Sequence, residues 1–99
     1  MEIKLPKGYR VFDPVRYLKT EEQIEHFLEL SCAGNDPVHI ARALGVAARA
    51  RGMSKISKKT GLTRTTLYNI LSEKGNPELK TLAKILDALG LRLSIVKAE

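Results

Sequence analysis

The chain has 99 residues, enough for one small domain with a single core, and its 43% apolar content excludes wholesale disorder. A lone cysteine, Cys32, excludes an intrachain disulfide, and no apolar run approaches the ~18 residues that span a bilayer. The formal net charge of +6 is carried unevenly: residues 1–36 hold five Lys/Arg against seven Asp/Glu, and residues 37–99 hold twelve against four.

Residues 1–19 read as an arm with a short helical turn. Glu2-Ile3-Lys4-Leu5 alternates as a short strand does, before Pro6 and Gly8 interrupt it. Phe12 reads as an aromatic anchor, followed by a capping Asp13 and by Pro14 at the first position of about one turn through Leu18. Thr20-Glu21-Glu22-Gln23 then has the form of a capping box, opening a helix whose Ile24, Phe27, Leu28 and Cys32 share a face. Glu21, Glu22, Glu25 and Glu29 fall outside that face. A solvated surface is the plain reading of these carboxylates and a contact for a basic protein the sharper one; a phosphate backbone would repel them.

Asp36 and Pro37 cap and open the next helix, with Val38, Ala41, Leu44 and Ala48 as its inner stripe. Gly45 is expected to weaken it by up to ~1 kcal/mol relative to alanine. Gly52 ends it, and from Asp36 to Glu73 no acidic residue intervenes. Arg42, Arg49, Arg51, Lys55, Lys58, Lys59 and Arg64 therefore read as a positive field suited to a polyanion.

Within that field, Ser54 to Ser72 (SKISKKTGLTRTTLYNILS) has the spacing of two short helices joined by a tight turn. Gly61 stops the first helix in a left-handed conformation, and Thr63 caps the second. Ile56, Ser57, Leu62, Leu67, Ile70 and Leu71 point inward, which leaves Thr63, Arg64, Thr65, Tyr68 and Asn69 pointing out. After the loop Glu73 to Pro77, Asn76 and Pro77 are expected to cap a fifth helix with Leu79, Leu82, Ala83, Leu86 and Leu89 inside, ended by Gly90. Leu91 to Val96 alternates as a strand, which must pair with residues 2–5, a second copy or a partner's edge; an intermolecular pairing is preferred. The expected organisation is an arm at 1–19, a helical domain at 20–90 and a strand or tail at 91–99.

Signs of catalysis are absent from the sequence. His26 and His39 have no metal-ligand spacing with Cys32, which reads as a small core residue. There is no phosphate-cradling glycine loop, no nucleophile motif and no paired carboxylate outside the acidic helix. The expectation is a protein that is not an enzyme and has no cofactor or metal. With one cysteine and no signal-peptide core, a cytoplasmic location is expected.

The two-helix stretch resembles the helix-turn-helix of phage-repressor-like (Xre/Cro) DNA-binding domains. That pattern has an apolar then a small residue, a glycine four positions on, and apolar residues six and nine positions after the glycine, matched here by Ile56, Ser57, Gly61, Leu67 and Ile70. Ser57 departs from the usual alanine but is small enough for close helix contact. The wider frame, FDPVRYL at Phe12 to Leu18, the acidic helix, and Ala43 to Ile95, is similar to antidote (antitoxin) proteins of two-gene addiction modules over almost the whole chain.

The resemblance implies a compact, all-α, five-helix lambda-repressor-like domain with a short C-terminal β-strand. The second helix of the pair would enter the major groove, with Arg64 on a guanine edge and Asn69 on an adenine edge, because each offers two spaced hydrogen-bonding atoms. Thr65 and Tyr68 would meet a thymine methyl or a phosphate, and Thr63 serves first as a cap. Ser54 and Lys55 would reach the backbone, joined by Lys58, Lys59 and Lys74. A phosphate contact for Arg64 and a packing role for Tyr68 stand beside these assignments. By resemblance, the partners are operator double-stranded DNA, a second copy in a homodimer, and a RelE/HigB-like toxin, a RelE-like ribonuclease, with repression of its own operon. The alternatives are a stand-alone phage-type repressor and a protein-interaction module that has lost DNA binding.

Overall fold

Most helix starts in this protein are set by side chains within three residues of the first free amides. In the computed structural model, which describes residues 13–72 and 74–98, the order is a 3-10 turn Pro14–Tyr17, α1 Glu21–Cys32, α2 Pro37–Arg51, α3 Met53–Thr60, α4 Arg64–Ile70 and α5 Leu79–Ala88. The capping box is present: the Thr20 hydroxyl accepts from the Gln23 N–H at 3.1 Å, and Gln23 Oε1 accepts from the Thr20 N–H at 3.0 Å. Asp36 Oδ1 accepts from the N–H groups of Val38 and His39, and Pro37 follows at the first helical position. Asp13 caps the 3-10 turn through the Val15 N–H. The expected strand at Glu2 to Leu5, its break at Pro6 and Gly8, and the Phe12 anchor lie outside the described residues.

α2 is the hub. It packs against the 3-10 turn, α1, α3 and α4, while α5 packs on α3. Its buried face is made of Ala41, Ala43, Leu44, Ala47 and Ala48, whose small side chains let neighbouring helices approach. Gly45 carries this furthest: a Cβ at that position would lie 2.9 Å from the Leu71 carbonyl oxygen, so the residue that costs helix propensity is the one that admits the end of α4. Ile24 and Leu28 of α1, Met53 and Ile56 of α3, Leu67, Leu71, and Ile85, Ala88 and Leu89 complete one core. Ile56, Leu67 and Ile85 are its largest fully buried side chains, each stabilising the fold by roughly 1.5–3 kcal/mol.

Four expectations fail here. Val38, in the first turn of α2, is exposed and not part of the inner stripe. On α5 the inner face is Ile85, Ala88 and Leu89 with Leu82 and Leu86 half-buried; Leu79 and Ala83 face solvent. The α5 cap position is Glu78, with no side-chain cap bond, so Asn76 and Pro77 do not cap it. Residues 91–98 form no strand: the Leu91 N–H bonds back to the Leu86 carbonyl at 2.8 Å, and Leu93, Ile95 and Val96 are exposed. No strand exists among the described residues for this segment to pair with, and alternation alone cannot satisfy backbone groups. The described residues are otherwise all-helical, and no helix is long and apolar enough to cross a membrane.

Candidate nucleic-acid interface

The turn between α3 and α4 is held from both sides by local hydrogen bonds. Gly61 adopts φ +75°, and its N–H reaches the Ser57 carbonyl at 2.9 Å. The Thr60 hydroxyl donates to the Ile56 carbonyl at 2.8 Å and accepts from the Leu62 N–H at 3.2 Å. Ser57 Oγ donates to the Leu62 carbonyl across the turn. Thr63 Oγ1 then accepts from the Thr66 N–H at 3.1 Å and pairs with the Thr66 hydroxyl at 2.8 Å, starting α4 in a fixed direction. Leu67 is fully buried beneath it and Leu71 nearly so, which fixes the rotation of α4 about its axis.

That rotation turns Arg64, Thr65, Tyr68 and Asn69 outward. All four are exposed, as are Thr63, Ser54 and Lys55 on the α3 side and Lys74 in the following loop. The sequence-predicted residues are thus all exposed, as are Lys58 and Lys59 on α3, but Lys55 and Lys59 line a cleft with Glu21, Glu25 and Arg51, on the side of α3 toward α1 and the end of α5. Tyr68, 47% exposed, borders a cleft of about 340 Å³ beside Gly45, Val46 and Met53 of α2 and α3, so its ring has both a packed and an open side. Among the described residues no ion pair engages Lys55, Lys58, Lys59 or Arg64.

Two other cations of the predicted field are neutralised. Arg49 Nη2 lies 2.9 Å from Asp13 Oδ1, and Arg51 Nη2 lies 2.7 Å from Glu21 Oε1. An absence of acidic residues between positions 36 and 73 does not prevent the fold from supplying carboxylates from the preceding elements. Among the described residues Lys55, Lys58, Lys59 and Arg64 on α3 and α4 keep their charge uncompensated, as do Lys80 and Lys84 on α5.

Sequence reasoning missed the hydroxyl lattice of the turn. Ser57 counted only as a small residue, and Thr60 not at all, although both brace the corner. A run of threonine and serine on either side of a helix-stopping glycine is the signal that was available. Cys32 is half-buried, not a core residue, and partial burial pushes its thiol pKa up. Among the described residues no His, Cys, Asp and Glu group has a metal-holding arrangement.

Fold and site define a small helical protein that presents a basic two-helix corner braced by local hydrogen bonds. A family described as "probable addiction module antidote protein" matches residues 8–97, and the chain belongs to it. An uncharacterized protein of Haemophilus influenzae is 38% identical over 88 residues, covering 89% of this chain and 91% of its own length. No solved structure matches. An antidote implies a toxin, so family membership gives this chain a protein partner.

Proposed function

We propose that the chain is an antitoxin whose α3–α4 corner is a phage-repressor-like (Xre/Cro) helix-turn-helix that binds operator DNA, and that it represses the operon encoding itself and its toxin. The observation that carries this reading is α4: capped, anchored by Leu67, and directing Arg64 and Asn69 outward with no acidic partner among the described residues. A seven-residue helix of this kind fits the major groove, where Arg64 pairs with a guanine edge and Asn69 with an adenine edge. Ser54, Lys55 and Lys74 contact phosphates, and Thr65 and Tyr68 flank the reading residues. One such domain makes few base contacts, so two copies bind half-sites about one turn of DNA apart.

The toxin is a RelE-like ribonuclease encoded beside the antidote. Family membership supports the pairing over a stand-alone repressor of phage type, and the uncompensated corner supports DNA binding over a module that has lost it. The protein acts by binding and is not an enzyme. A gel shift with the chain's own upstream DNA tests the groove assignment. Arg64→Ala and Asn69→Ala should each weaken specific binding by roughly 1–3 kcal/mol while leaving the fold intact. Parent-like binding by both variants would refute it.

A further inference from the structure

The corner leaves a second face of the molecule without a task. Glu22, Glu25 and Glu29 follow at steps of three and four along α1, so they form one stripe, and all three are exposed. Glu21 is engaged by Arg51, whereas no ion pair holds the other three among the described residues. Beside this stripe opens a cleft of about 480 Å³, walled by Leu28 and Leu44, by Leu82 and Leu86 of α5, and by Leu93 and Val96 of the segment that follows. Glu25 and Glu29 stand on its rim, with Arg92 the single cation there. Leu93 is 57% exposed and Val96 85%, an apolar exposure that water alone does not favour.

Uncovered apolar walls beside carboxylates lacking counter-ions ask for one kind of occupant, a segment with apolar side chains set between lysines and arginines. We propose that this cleft and its acidic rim are the docking surface for the toxin, and that the docked segment is cationic. The proposal rests on the ribonuclease reading above: a protein that holds RNA must carry positive charge in its groove, to which this face is complementary and the basic corner is not. α1 makes no contact with α4, so a toxin seated here leaves the groove-reading residues open. A second copy of this chain also carries exposed cations, among them Lys80 and Lys84 of α5, so the test below is built to tell it from the toxin.

The test measures binding of the full chain to the purified product of the adjacent reading frame, with the gel shift and the sedimentation of the chain alone run beside it. Glu22→Gln/Glu25→Gln/Glu29→Gln and Leu93→Ser/Val96→Ser change only exposed positions, so both variants should fold. Each should weaken the complex by about tenfold, the triple variant also flattening its salt dependence, with DNA binding and size unchanged. If the parent chain binds and both variants match it, the toxin docks elsewhere and this proposal falls while the antidote reading stands. If the variants instead turn a dimer of the chain alone into a monomer, a second copy occupies the face and the proposal is overturned. If the parent does not bind the neighbouring product, the pairing with that toxin fails and takes this surface with it.

Discussion

The corner at Gly61 and the flank of α1 are both exposed and charged, yet they are built in different ways. At the corner, Ser57, Thr60, Thr63 and Thr66 cross-brace the backbone within ten residues, and Leu67 fixes α4 from below. The α1 flank rests on its capping box and on Ile24, Leu28 and the half-buried Phe27, and of its carboxylates only Glu21 has an ion pair, with Arg51, among the described residues. A surface that reads base edges needs side chains held in register, because hydrogen-bond geometry degrades within tenths of an ångström. A surface that meets a basic protein needs charge and apolar area, and tolerates adjustable side chains. On the proposed assignment, the bracing underneath, and not exposure or charge, is what separates the two faces.

The contrast can be broken from the inside. Leu67→Ala should cost about 2–5 kcal/mol in urea unfolding, because a fully buried side chain leaves a cavity directly below the outward face of α4. DNA binding should fail with it, whereas Leu30→Ala on the exposed side of α1 should leave unfolding within error. Gly61→Ala is the intermediate case. Nothing lies within 4 Å of a Cβ there, so the effect is conformational, about 1–2 kcal/mol for holding an alanine at φ +75°. The smallest effect is on the other side. Glu21→Gln removes a surface ion pair with Arg51 and should shift stability by roughly 0.5 kcal/mol or less, diminishing further at high salt.

What could be read before folding was what acts over three or four residues. The starts of α1, α2 and α4 follow from Thr20, Asp36 and Thr63, and the left-handed turn from Gly61, since each cap touches amides two or three positions away. The outward set on α4 was legible for the same reason: Leu67 and Leu71 at a four-residue step leave only one possible outer face. What could not be read depends on distant chain. Asp13 meets Arg49 thirty-six positions on, and no local pattern announces that pair. On α5 the run of leucines offers two apolar stripes turned by a fraction of a turn, and only the position of α3 selects Ile85 and Ala88 over Leu79 and Ala83. The alternation at Leu91 to Val96 had the right period for a strand but no strand beside it among the described residues.

Gly45 sets an uneven tolerance along α2. The first turn of that helix, with Val38 and His39 in water, is free to drift, while position 45 is a bottleneck through which any larger residue would have to displace the Leu71 backbone. Mutational variety should therefore accumulate at one end of α2 and vanish at its middle, so that the seating of the end of α4 is inherited through a single hydrogen atom on a different helix.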